Sequence, residues 1–259
     1  MPELPEVEAF KSYIEQCLLL EIKKLEVRDE KFFVTSIKDF RKKLIGKHFE
    51  SIDRRGKFLI VNLNTNSLKL VFHFGMTGDL NYTKSGVPEE KYVRLVFLFL
   101  NGYELRVIDQ RRFGRVYLVE SADDVKTIRN MGLEPLEMDE KDFLELCSRH
   151  PRRMVKSFLM DQSIIAGIGN MYSDEILFQA GVRPDRKLIN LNEDERVRIF
   201  FETKEVLRKV IDANADFNLL KGFLFLFREK SAKCPRCGGA IETLKMSNRT
   251  SYYCPRCQS

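Results

Sequence analysis

Uninterrupted apolar sequence is scarce in this chain of 259 residues: the longest run, Leu95 to Leu100, is six residues. A membrane-spanning helix needs about twenty. The first residues, Met-Pro-Glu-Leu-Pro-Glu, lack the basic stretch and apolar core of a secretory signal. Internal repeats and low-complexity tracts are missing as well. Neither secretion nor membrane insertion is expected. What is present is a chain 44% hydrophobic and 32% charged, rich enough to bury real cores and long enough for two domains.

Net charge is +6, and all of it sits at one end. Residues 221–259 hold eight Lys/Arg against two Glu, whereas the preceding residues are balanced. A basic terminal module on a neutral body suits a polyanion, most simply nucleic acid.

The six cysteines divide into two kinds. Cys234, Cys237, Cys254 and Cys257 form two C-x2-C pairs separated by sixteen residues, the spacing of a four-thiolate tetrahedral zinc site. Two disulfides would use the same four residues, but nothing in the chain points to an oxidising compartment. One structural zinc ion is expected, supplying much of the folding free energy of a small module. Cys17 and Cys147 lie in apolar helical stretches and read as ordinary core residues.

Helical spacing of Val7, Phe10, Ile14 and Cys17/Leu18 predicts a helix over 4–20 with Pro5 in its first turn. From about 22 to 120 the texture is β, with runs at 58–63, 68–74, 92–100, 103–109 and 115–119; Asn101-Gly102 marks a hairpin. A β-sandwich or barrel packed with an N-terminal helix follows. Gly132-Leu-Glu-Pro135 reads as a linker. Beyond it the pattern is helical, with Asn192 and Glu195 as a capping box for a helix to about 212. Ala166-Gly-Ile-Gly-Asn170 interrupts the helices with two glycines that let backbone turn sharply and approach a ligand.

These landmarks carry a resemblance. Pro2-Glu3-Leu4-Pro5-Glu6-Val7-Glu8, Arg55-Gly-Lys57-Phe-Leu, His73-Phe-Gly-Met76-Thr-Gly78, Asp109-Gln-Arg111-Arg112-Phe113-Gly114, Ala166-Gly-Ile-Gly-Asn170-Met-Tyr-Ser-Asp-Glu175 and the final cysteines stand in order. Together they resemble the formamidopyrimidine-DNA glycosylases, bacterial base-excision repair enzymes, over nearly the whole chain. The resemblance implies an α+β fold with an N-terminal catalytic β-sandwich domain (1–131), a helix–two-turns–helix domain (138–220) and a β-hairpin zinc finger (221–259). Double-stranded DNA with damaged bases or abasic sites would lie between the domains. A monomer in the cytoplasm, at the nucleoid, is expected.

The resemblance also gives residues their roles. Once Met1 is removed, Pro2 presents a secondary amine; a terminal amine titrates near 8, so about a tenth is neutral and nucleophilic at pH 7. Glu3 stands where the family's general acid stands. Glu6 shares the helix start, whereas Glu8 is explained by the helix dipole alone. Lys57 is expected at a strand end, beside the lesion's phosphate, with Lys156 as a second lesion-side lysine. Met76, Arg111 and Phe113 match the residues that fill the gap left by a flipped nucleotide. Asn170, Arg249 and, more weakly, Tyr172 match phosphate contacts.

One stretch departs from the family. Only about twenty residues lie between the helix ending near 213 and Cys234, with Asn214-Ala-Asp-Phe-Asn-Leu-Leu-Lys-Gly-Phe223 in place of the longer loop that covers a flipped 8-oxoguanine. Phe227-Arg228 stands near the family's Tyr-x-Arg region. The leading expectation is a glycosylase and abasic-site lyase for oxidised purines. The alternatives are an endonuclease VIII-like enzyme for oxidised pyrimidines or abasic sites, and a non-catalytic damage binder, which intact Pro2 and Glu3 disfavour.

Overall fold

The computed structural model describes every residue except Asn66 and Ser247. It divides into two compact units, Met1–Asn130 and Met131–Ser259.

The first unit opens with α1 (Leu4–Ala9) and α2 (Lys11–Glu15), followed by β1 (Ile22–Val27) and α3 (Ile37–Leu44). Then come β2 (Phe49–Arg55), β3 (Phe58–Leu63), β4 (Lys69–His73), β5 (Gly78–Lys84), β6 (Val93–Phe99), β7 (Tyr103–Asp109), β8 (Arg115–Val119) and the short α4 (Lys126–Arg129). The strands make two four-stranded antiparallel sheets, ordered β1-β6-β7-β5 and β2-β3-β4-β8. Rings from both sheets meet between them. Phe97 of β6 lies 5.4 Å from Phe49 of β2 and 6.4 Å from Phe72 of β4. This is the expected sandwich, and Phe10 against Phe74 at 4.6 Å adds the N-terminal helices to its core.

The expected single helix over 4–20 is broken at Phe10 and stops at Glu15. The sheet captures the rest: Leu19 turns left-handed at φ 62°, and its N–H donates to the Phe49 carbonyl. Asn101-Gly102 does turn a hairpin between β6 and β7, with Gly102 at φ 81°. Three strands not expected from sequence, β1, β2 and β5, each lie at a sheet edge.

The second unit contains α5 (Glu140–Arg149), α6 (Val155–Met160), α7 (Asn170–Ala180), α8 (Glu193–Asp212) and the hairpin β9 (Glu242–Met246)–β10 (Arg249–Tyr253). Phe143 of α5 packs on Phe158 of α6 and Phe200 of α8, with ring centroids 5.8 and 5.9 Å away. The Asn192/Glu195 capping box opens α8 as the spacing predicts. Helix α7 ends on Gly181 at φ 71°, whose successor Val182 donates back to Leu177. Gly132–Pro135 is not a free linker. Gly132 and Leu133 donate to the Gln162 and Ile164 carbonyls, and a Cβ at Gly132 would lie 2.1 Å from the Ile164 oxygen. The segment is backbone-paired inside the second unit. No helix among the described residues is long and apolar enough to cross a membrane.

Candidate functional site

The chain start is held by its own carboxylates. Glu3 is the residue capping α1, and its N–H donates to the Glu6 carboxylate at 2.8 Å, one half of a capping box. Glu6 thus braces the turn that carries Pro2 and Glu3. The Glu3 side chain is buried, at 2% exposure. A second chain of contacts reaches Lys57. Glu8 accepts from Arg54 Nε at 2.7 Å, and Arg54 donates onward to the Gly56 carbonyl at 3.1 Å. Burial works against ionising Glu8, but hydrogen bonds from Lys11 and Arg54 hold its carboxyl below the usual range. Glu8 therefore ties α1 to the Gly56 turn, a role its helix-start position did not reveal.

Lys57 follows that turn at the entry to β3, and its side chain is buried rather than projecting freely. The next residue, Phe58, pairs across the sheet with His73, with rings 4.8 Å apart. Burial, then the charges of Lys57 and Arg115, push the His73 imidazole down to about 4. His73 is therefore neutral at pH 7, and its Nδ1 accepts the Gly75 N–H at 3.3 Å.

The three residues expected to fill a gap in DNA are at the surface. Met76 is 40% and Phe113 51% exposed, and the Arg111 guanidinium carbon lies 5.2 Å from the Phe113 ring centroid. Their loops touch through backbone: a Cβ on Gly75 would come within 2.5 Å of Gly114 N. Between Arg111 and Phe113, Arg112 is left-handed at φ 61° and donates from two nitrogens to Asp29 at 2.6 and 3.0 Å. Beneath both loops lies Asp109, fully buried.

In the second unit, Lys156 is 2% exposed and donates to Asp174 at 2.6 Å and to Ser251 at 2.7 Å. Asp174 also accepts from Arg228 and from the Tyr252 N–H. These bonds join α6, α7, the segment before the finger and β10. Lys156 was expected on DNA; two of its donors are instead committed inside the unit. Asn170 begins α7, as expected. Its Nδ2 donates to the Thr250 carbonyl at 3.2 Å, while its buried Oδ1 has no partner. The glycine loop before it is braced by Gln162, which accepts from Gly167 N–H and donates to the Ile168 carbonyl. Arg249 is exposed at the start of β10. It borders a cavity of about 280 Å³ lined also by Lys156, Ser157, Met160, Asp161 and Met246.

Tyr172, expected at the surface as a weaker phosphate contact, is fully buried, with its ring edge-on to Phe225 at 6.2 Å, so its ring belongs to the core of the second unit. Sequence reasoning left Arg228 without a role. It donates to the Asn170 carbonyl at 3.1 Å, pairs with Asp174 and stacks over Tyr252. Its place near the family's Tyr-x-Arg region, just before the finger, was the signal available.

The four finger sulfurs lie within 4.8 Å of one another, with Cys234–Cys257 at 3.8 Å and Cys237–Cys254 at 3.5 Å. Zinc–thiolate bonds of about 2.3 Å place sulfurs about 3.8 Å apart at the corners of a tetrahedron. Disulfides need about 2.05 Å. The donor set fits one structural zinc ion. Cys17 and Cys147 are buried, and burial pushes each thiol up to about 12, as inert core residues require.

Residues 1–116 match the formamidopyrimidine-DNA glycosylase N-terminal domain. Residues 131–218 match that enzyme's H2TH domain, and 232–259 a zinc finger found in FPG and IleRS. The formamidopyrimidine-DNA glycosylase of Pelotomaculum thermopropionicum is 36% identical over 276 aligned positions, covering 100% of this chain and 99% of that one. That of Geobacter metallireducens is 34% identical over 269, covering both chains completely. Among solved structures, Lactococcus lactis Fpg in complex with FAPY-dG-containing DNA superposes with a TM-score of 0.88 at 28% identity, covering 99% of each chain. The same protein bound to abasic-site DNA gives 0.88 as well. With its three domain matches in order and relatives aligned end to end, this chain belongs to the formamidopyrimidine-DNA glycosylase family.

Proposed function

We propose that this protein is a bifunctional DNA glycosylase and abasic-site lyase of base-excision repair, acting on oxidised purines such as formamidopyrimidines. The observation that carries this reading is the chain start: Pro2 directly precedes a buried Glu3 whose backbone is fixed by Glu6. With Met1 removed, the Pro2 amine lone pair attacks C1′ of the damaged nucleoside, and the C1′–base bond breaks as the base leaves with a proton. Glu3 protonates the opening ring oxygen, leaving an iminium between Pro2 and C1′. Loss of a C2′ proton then expels the 3′ phosphate, and a second elimination expels the 5′ phosphate.

The other residues serve grip and flipping. Met76, Arg111 and Phe113 occupy the vacated stack, while Asn170, Arg249 and Lys57 meet phosphates, with Lys156 holding the surface that carries Arg249. The zinc finger supplies the basic end of the molecule. The cytoplasm, at the nucleoid, is the compartment this function needs.

A second reading, a preference for abasic sites or oxidised pyrimidines, is favoured by the segment before the finger. Phe217, Phe223 and Phe225 cluster with centroids 4.9 and 5.1 Å apart, and Leu224 is buried, so this stretch packs down as a short apolar strap. The names of the relatives favour the purine reading. Borohydride reduction on abasic duplex DNA tests the chemistry. We expect a covalent adduct that Pro2→Gly greatly reduces; efficient trapping through an internal lysine, located by peptide mapping, overturns the assignment.

A further inference from the structure

We infer that Asp109, a residue that does not reach the surface, is the positioning residue that makes the two exposed loops act as one wedge. The inference rests on the enzyme reading above and extends it to how the flipped state is held.

Asp109 is the last residue of β7, paired with Gly78 of β5, so it stands where both loops leave the same sheet. One carboxylate oxygen accepts the Thr77 hydroxyl at 2.7 Å and the Arg111 N–H at 3.2 Å. The other accepts the Gly114 N–H at 2.7 Å. Thr77 Oγ1 in turn accepts the Arg111 N–H at 2.9 Å. One side chain therefore fixes Thr77, next to Met76, and both ends of the 111–114 turn that carries Arg111 and Phe113.

Its own position is locked from behind. Asp109 N–H donates to the Tyr92 carbonyl, and Arg94 donates to the Asp109 carbonyl at 2.8 Å. The two loops also abut through backbone, since a Cβ on Gly75 would lie 2.5 Å from Gly114 N. The carboxylate is fully buried and spends its acceptors on donors from these loops. A buried acid with its lone pairs aimed at two loop backbones suits the ordering of a protruding tip. Inserting a wedge into a base stack demands such order, because a tip that had to be frozen on binding would lose affinity to side-chain and loop entropy.

The neutral isostere separates this role from general folding. In Asp109→Asn an amide N–H faces one of the donors that the carboxylate accepted, so the two loops lose their common anchor. Thr77→Val removes only the loop-to-loop hydroxyl, and Thr77→Ser restores it. Single-turnover cleavage is measured on an abasic site opposite cytosine in duplex DNA and on the same abasic strand alone, which has no stack to part. 2-Aminopurine beside the site reports unstacking, and thermal melts report folding.

We expect Asp109→Asn and Thr77→Val to slow duplex cleavage tenfold or more and to blunt the fluorescence rise. Cleavage and borohydride trapping on the single strand should stay within about twofold, and Thr77→Ser should recover the duplex rate. Unchanged duplex cleavage in both variants overturns the inference. Equal losses on duplex and single strand also overturn it, since they mark a merely structural residue; if Asp109→Asn does not fold, Thr77→Val decides by the same criteria. A wild-type chain that leaves both abasic substrates intact overturns the enzyme reading itself, and the inference with it.

Discussion

The Lys156 ammonium lies 2.6 Å from Asp174, and both side chains are almost completely buried, at 2% and 1% exposure. This pair, with Ser251 and Arg228, fastens β10 of the finger to α6 and α7. Breaking a buried ion pair by deleting one partner costs about 3–5 kcal/mol, because the remaining charge is stranded away from water. In Lys156→Met, Asp174 keeps Arg228 and the Tyr252 N–H, so the loss should fall near the lower end, about 3 kcal/mol. Urea denaturation measures it. Weakened DNA binding with unchanged stability would place this lysine on the DNA instead.

Glu175 predicts a pH dependence of stability. Burial pushes its carboxyl up to about 7, against hydrogen bonds from Gln179 and the Phe225 and Leu224 backbone. A raised folded-state value means that the fold binds a proton the unfolded chain has released. The stabilisation is thus full below about 4.5 and is lost as pH rises through about 7. Its ceiling is about 3 kcal/mol. Glu175→Gln should flatten this slope, losing less melting temperature than wild type between pH 5 and pH 8. Parallel profiles would show that Glu175 is ionised throughout.

Zinc should be stoichiometric, one per chain. Cys254→Ser leaves the ion with three thiolates and loosens the basic finger, so metal content and duplex affinity should both fall, affinity by tenfold or more. Elemental analysis and a binding titration check this. A purified protein that binds DNA and contains no zinc would sink the assignment.

The short strap before the finger predicts a split between sugar chemistry and base choice. Cleavage at an abasic site needs the amine, Glu3 and a flipped nucleotide. Base discrimination needs donors and acceptors around the flipped base, since rejection is strong only when a wrong base leaves buried polar groups unpaired. Robust abasic cleavage is expected, with weaker or broader base excision than in a relative with the full loop. Single-turnover rates for 8-oxoguanine, formamidopyrimidine, dihydrouracil and abasic sites in one duplex context measure this. Excision of 8-oxoguanine as fast as abasic cleavage, and far above the other bases, would show that discrimination does not depend on that loop.

Sequence by itself determined the parts whose signal is local. The C-x2-C pairs, the Asn192/Glu195 cap and the Asn101-Gly102 turn are short-range patterns, and the structure repeats each of them. Four of the five strand runs it disclosed, β3, β4, β6 and β7, are central strands; β3, β4 and β6 each carry three or more consecutive buried apolar residues, while β7 alternates and buries Glu104 and Arg106 between its apolar positions. The missed strands β1, β2 and β5 are edges, where charged residues such as Lys23, Glu50 and Asp53 face solvent and erase that run. Only the tertiary structure decided what distant side chains do to one another. Asp109 opens the Asp109-Gln-Arg111-Arg112-Phe113-Gly114 motif and Lys156 was expected beside the lesion, yet neither position shows that one anchors two loops or that the other is buried against Asp174. Such roles depend on which donors burial brings to an acceptor from tens of residues away, and a hydrogen bond 2.7 Å long across thirty-two positions leaves no mark in linear spacing.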